Sequence, residues 1–242
     1  MHFNTLASIP EDVSMSLEIY KACCANVKEI KKRSKDIKRQ INRALEKEKY
    51  YEVETLTRVY AMLYSVFAEA AFIKMINTPH GFSEDYIKQI LSQRNLESKW
   101  NKCIELAFSR INGSSGEIAN KKQKINNLLN EYIIKPSELR NKIAHGQWCI
   151  CLTNDCQRIN TDLTQRMQSM DLMQIYVLFQ IYEKYSQCIE DMIESPDRAH
   201  FRDYYSRLTD LEEYIKKTHH YSMESKLQLI KDSPKRYIAS NQ

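Results

Sequence analysis

Only 4 glycines and 5 prolines punctuate the 242 residues, and that scarcity constrains the fold more than any motif in the chain. A sandwich of short strands or a doubly wound sheet needs many tight turns, and tight turns consume these two residues. A chain this poor in both is expected to be all-α. Charged residues make up 28% of the chain and its mean hydropathy is −0.58, values of a soluble protein.

Apolar spacing locates the helices. Val13, Leu17, Tyr20, Cys24, Val27, Ile30, Ile37, Ile41 and Ala44 recur every three or four residues, which predicts a long amphipathic helix over 11–46. Its other face is basic, with Lys28, Lys31, Lys32, Arg33, Lys35, Lys38, Arg39 and Arg43 against Glu29 and Asp36. Such a face is either solvated or a track for phosphates, and spacing alone does not choose. Residues 50–76 predict a second helix, apolar nearly all round and therefore buried on several sides. Glu69 and Lys74 within it argue against a membrane span. Ser83 can cap a short helix to Leu91, and further helices are expected over 96–111 and 117–134. Pro136 then kinks the chain or begins a new helix, Ser137–His145, with Gly146 at the C-terminal cap position. Residues 148–153 and 158–163 can pair as a small hairpin around Asn154 and Asp155, and helical periodicity returns over 170–194 and 198–217. One helical domain over 1–242 is expected, with its core at about 50–194, a basic helix at 11–49 before it and a helical tail at 196–242 after it.

Charge and cysteine usage bound the setting. The net charge is +5, which permits a nucleic-acid partner without establishing one. Seven cysteines, an odd and scattered set, read as reduced thiols of a cytoplasmic protein. Residues 1–10 lack the charged start and apolar core of a secretory leader. Cys149, Cys151 and Cys156 lack the paired knuckles of a zinc site, so no metal is expected and buried thiols are the favoured reading. Neither a phosphate-cradling loop nor a dinucleotide fingerprint is present, and no cofactor is expected. His219 and His220 read as solvated, and most of the 15 tyrosines sit at helix-core spacing.

The segment richest in chemistry is Arg140-Asn141-Lys142-Ile143-Ala144-His145-Gly146. RNA can be cleaved without a metal when its 2′-hydroxyl attacks the adjacent phosphate. That step needs a base active near neutral pH, which histidine supplies. It also needs a cation on the crowded phosphorus, and arginine offers one that stays protonated. An amide such as Asn141 can orient a phosphate oxygen or the imidazole. Asn141 and His145 share a helix face. Arg140 is turned from His145 by about 140° at 3.6 residues per turn, so one helix does not by itself converge the pair.

Leu139-Arg-Asn-Lys-Ile-Ala-His-Gly146 resembles the signature of the HEPN superfamily: arginine, a polar residue, three more residues, then histidine. Tyr60–Ile76, Pro79-His-Gly-Phe82 and Leu96-Glu-Ser-Lys-Trp100 look like the helix order that precedes this motif in stand-alone bacterial HEPN proteins. The resemblance implies a helical bundle and a metal-independent endoribonuclease of toxin–antitoxin or anti-phage systems. It implies a homodimer with the active site at the interface, RNA as substrate, and a cognate antitoxin or other defence-system protein as a further partner. Carried over, Arg140, Asn141 and His145 are the catalytic positions, and Glu69 is a supporting acid that needs a partner if buried, with Arg140 the candidate. Lys31, Lys32, Lys35, Arg39 and Lys142 are the candidate RNA contacts. Gln147 stands where toxins paired with a nucleotidyltransferase antitoxin carry a modified tyrosine, so that modification is not implied. The alternative is a non-catalytic helical RNA-binding or protein-interaction module in which Arg140 and His145 are structural.

Overall fold

A computed structural model describes residues 11–232, apart from the side chains of 11–15, 199–200 and 231. The described residues are all-α, in the order α1 (Glu11–Glu46), α2 (Tyr50–Ile76), α3 (Glu84–Leu91), α4 (Leu96–Phe108), α5 (Ser115–Leu129), a π-helical turn (Asn130–Ile134), α6 (Lys135–Ala144), α7 (Thr161–Gln168), α8 (Leu172–Glu194), α9 (Ala199–Thr218) and α10 (Met223–Asp232). Caps set many of these starts. The side chains of Ser83, Asn95, Ser114, Asn160 and Asp171 each accept a backbone N–H from the first turn of the helix that follows.

α2 is the hub, packed against α1, α6 and α8. α1 turns back on it through Lys47–Lys49, with Glu48 at φ 56°, so the two helices run antiparallel. Lys31 lies over the Phe67 ring and Lys74 over the Tyr20 ring, which fixes the register. At 1.5 Å per residue the 36-residue α1 outruns the 27-residue α2 by about 13 Å. Burial follows from that mismatch. Ile41, Ala44 and Leu45 are buried, whereas Leu17 and Ile19, beyond the end of α2, are exposed. The apolar stripe of α1 is therefore used fully only in its second half.

The core is aromatic. Phe67, Phe179 and Tyr182 interlock, and Trp100 contacts Phe72, Tyr182 and Tyr185. Buried phenols bond main-chain carbonyls of other helices: Tyr182 donates to Ala68 at 2.6 Å and Tyr185 to Ile125 at 3.3 Å. Each bond satisfies a hydroxyl that burial would otherwise penalise. The core also extends beyond residues 50–194, because α9 contributes Tyr204, Leu208 and the fully buried Leu211.

α2 is not buried all round. Its residues Val59, Met62, Val66, Glu69 and Ile73, spaced by three and four, form a strip that is only partly covered. Val66 is 49% exposed. The expected hairpin is corrected as well. A single antiparallel bridge joins Leu152 to Ile159, and Thr161 already begins α7. Asn160 accounts for the difference, since its side-chain Oδ1 accepts from Leu163 N and commits the segment to a helix.

Candidate active site

Pro136 organises the helix that carries the motif. A proline has no N–H for the carbonyl four residues back, and its ring crowds that carbonyl. The chain meets this by widening into the π turn just before α6, with Lys135 N bonded to Asn130 O. The carbonyl of Tyr132, four residues before Pro136, is taken up from outside the helix. Tyr64 of α2 donates its hydroxyl to it at 3.2 Å, and burial raises the Tyr64 pKa, keeping the phenol protonated. The helix therefore runs on through Pro136 without a break.

The far end of α6 is closed by a Schellman motif. Gly146 N donates to Ile143 O at 3.1 Å and Gln147 N to Lys142 O at 2.9 Å. Gly146 has φ +79°, the left-handed conformation that this cap requires. Trp148 Nε1 also donates to Ile143 O at 3.1 Å, and the Gln147 amide oxygen accepts Leu152 N at 2.7 Å. His145 is the capping residue itself, exposed, at φ −91° and ψ 20°.

The motif side chains divide between two cavities. Asn141 and His145 line an open cleft of about 830 Å³ whose other walls include Asn154, Cys156 and Asp162. Arg140 lines a separate cavity of about 300 Å³ between α2, α6 and α8. Its Nη2 donates to Glu69 Oε1 at 2.7 Å. The angular offset along α6 is thus realised in the fold, and within one chain the arginine and the histidine open onto different spaces. Glu69 has the expected partner, but it is not a buried acid: its side chain is 54% exposed.

The expected RNA-contacting cations also divide. Lys142 is corrected, because it is buried and its Nζ donates to Asn154 Oδ1 at 3.1 Å, tying α6 to the following loop. Lys31 pairs with Glu183 of α8, and Arg39 pairs with Asp36 one turn away on α1. Lys32 and Lys35 are exposed beside them. Lys31 reaches Phe67, whereas Arg140 reaches Glu69. Two residues along a helix are about 200° apart, so the basic face of α1 and the motif lie on opposite sides of α2.

Arg166 has no counterpart in the expectations from sequence, and Asn154 was expected there only as a turn residue. Asn154 anchors the loop that walls the His145 cleft. Arg166 of α7 donates to Lys135 O at 2.9 Å and lies 3.7 Å from both Glu138 and Asp162. Asn160, as the cap of α7, was the sequence signal for Arg166. Among the three nearby cysteines only Cys151 is buried, and Cys149 and Cys156 are exposed. Burial pushes the Cys151 thiol up, against the pull of Lys142 and Arg166. Cys188 in the core is pushed up to about 12 by the same cause.

No family model matches the chain, and no curated protein and no solved structure matches it.

Proposed function

We propose that the chain is a metal-independent endoribonuclease of HEPN type, acting in the cytoplasm within a toxin–antitoxin or anti-phage system. The observation that carries the reading is the end of α6: an exposed His145, held by a Schellman cap, beside Asn141 on an open cleft. His145 takes the proton of a 2′-hydroxyl. The freed oxygen attacks phosphorus, the bond to the 5′-oxygen breaks, and that oxygen leaves as a hydroxyl, protonated by water, to which His145 returns its proton afterwards. The products are a 2′,3′-cyclic phosphate and a 5′-hydroxyl end. Arg140, aimed by its bond to Glu69, neutralises the charge gathering on the phosphoryl oxygens. Asn141 orients a phosphate oxygen or the imidazole.

Because Arg140 and His145 face different cavities, the reading requires a homodimer in which one chain supplies the arginine and its partner the histidine. The half-open apolar strip of α2 beside Glu69 is a surface that a second copy would cover. RNA is the substrate, and a cognate antitoxin or other defence-system protein is the further partner.

The test is cleavage of RNA by the purified chain in EDTA, with the ends identified chemically. Expected are 2′,3′-cyclic phosphates and a loss of at least about a hundredfold in His145→Ala, the scale of a general base. Undiminished cleavage in that variant would remove His145 from the chemistry. The separation of Arg140 from His145 within one chain also favours a second reading, a non-catalytic helical RNA-binding or protein-interaction module. Expression separates the two. The nuclease arrests growth and Arg140→Ala relieves the arrest, whereas the module does neither.

A further inference from the structure

α1 and α8 both pack on α2, and a groove runs between them. Three adjoining cavities of about 330, 410 and 800 Å³ make it up, and Lys31 borders all three. Phe67, Ala71 and Met75 of α2 line its floor. α1 supplies a basic rim. Lys28, Lys32, Lys35 and Lys38 fall within about 120° of one helix face and span about 15 Å along it.

The charges of this groove do not balance. Each acid in its walls is already paired: Glu183 with Lys31, Glu190 with Lys74 and Glu29 with Arg33. The arginines of the same stretch, Arg33 and Arg39, both reach Asp36. Lys28, Lys32, Lys35 and Lys38 have no carboxylate partner among the described residues. Lys38 lies instead over the Tyr176 ring, 4.4 Å from its centroid. Burial lowers the Lys38 pKa, and the charges of Lys226 on α10 and of Lys35 lower it further. Like charges crowded on a partly desolvated surface repel, a cost that a bound anion removes. Lys28, Lys32 and Lys35 are exposed, so their ammonium groups are open to such an anion.

We infer that this groove binds a single-stranded nucleic acid through its phosphates, on the side of α2 away from the cleavage motif. The unpaired cations of the rim are all lysines, point charges that hold phosphates without a fixed geometry, as sequence-independent binding requires. A row of separate charges along one helix fits a chain that carries one charge per unit, whereas a lone phosphate would answer only one or two of them. Two helices packed on a third leave a groove narrower than a duplex, so the strand is single. The choice of nucleic acid over another polyanion rests on the proposed ribonuclease reading, but the groove itself does not.

Fluorescence anisotropy tests it, using the full chain with His145→Ala and a labelled single strand of about 12 nucleotides, made as RNA and as DNA of the same sequence. The DNA arm involves no cleavage and answers whether or not the chain is a nuclease. Both strands should bind with similar affinity, because lysines address phosphates and not the 2′-hydroxyl. The logarithm of affinity should fall with the logarithm of salt at a slope of about −3, at about 0.7 for each of the rim lysines. Lys35→Gln with Lys38→Gln should weaken binding about tenfold or more and reduce that slope by about 1.4. Arg33→Gln with Lys88→Gln removes two charges from outside the groove and should leave affinity and slope nearly unchanged. Thermal melts establish that each variant is folded. Equal weakening by the two double variants would reduce the effect to net charge and overturn the groove as the site. RNA binding without DNA binding overturns the phosphate contacts, and poly-glutamate that competes as well as the DNA strand replaces the nucleic acid with an acidic protein.

Discussion

Gly146 is where a single residue decides the geometry of the candidate site. Its φ of +79° is the left-handed conformation, yet a Cβ built there meets no heavy atom within 4 Å. The cost of Gly146→Ala is therefore entirely in the backbone, about 1 kcal/mol. In a chain of this size that lowers Tm by roughly 2–4 °C. Gly146→Asn should lose less, since asparagine tolerates this conformation better. Gly81 is a useful contrast. A Cβ there would sit 2.7 Å from Ile193 Cγ2 and 2.9 Å from Thr78 O, so Gly81→Ala forces two packed segments apart. Thermal melts of the three variants should rank Gly81→Ala as the most damaging and Gly146→Asn as the least. A Gly146→Ala melt equal to wild type would mean that the cap is not held in this conformation. The cap fixes where His145 points, so its loss should also reduce any activity that depends on the imidazole.

At the scale of elements, the passage from α5 to α6 carries the most information about how this sequence works. Pro136 withholds a donor from the Tyr132 carbonyl, and the Tyr64 hydroxyl from α2 replaces it. The two features should therefore be coupled. Tyr64→Phe alone leaves a carbonyl without its donor and should cost about 1–3 kcal/mol. In a Pro136→Ala background the helix supplies its own N–H, and the same change should cost less. A double-mutant cycle by denaturant unfolding measures the difference, and strict additivity would show that the tyrosine does not serve the proline. None of this bond is visible in sequence, because Tyr64 and Tyr132 are 68 residues apart. The helices themselves were legible, since the glycine shortage removes the alternatives and a cap such as Ser83 fixes a start. α7 was misread because Ile159, Thr161 and Leu163 alternate as in a strand, although Asn160 already announced a cap. The apolar neighbours of Glu69 left its burial open between a paired acid and an exposed one, and the half-open strip of α2 decides for exposure. Lys142 looked like a surface cation because Asn154, the group that holds it, lies in a loop whose path no periodicity predicts.

For the whole molecule, the decisive question is how an arginine and a histidine that face different cavities could act on one phosphate. The offset of about 140° along α6 was readable from spacing alone, and the fold keeps it by binding Arg140 to α2 and turning His145 toward the following loop. A two-fold dimer is the economical remedy, because an isologous interface brings residue i of one chain to residue j of the other, twice. This makes a quantitative prediction. Arg140→Ala and His145→Ala chains should each be inactive alone. When they are mixed and allowed to exchange, half the dimers are mixed, and each mixed dimer has one intact site and one doubly defective site. Activity should return to about a quarter of wild type for equal amounts. A double variant carrying both changes on one chain should rescue neither single variant. Recovery near that fraction requires a shared site with one residue from each chain. A mixture that exchanges subunits and still shows no cleavage, while the wild type cleaves, would exclude that arrangement and with it the shared site.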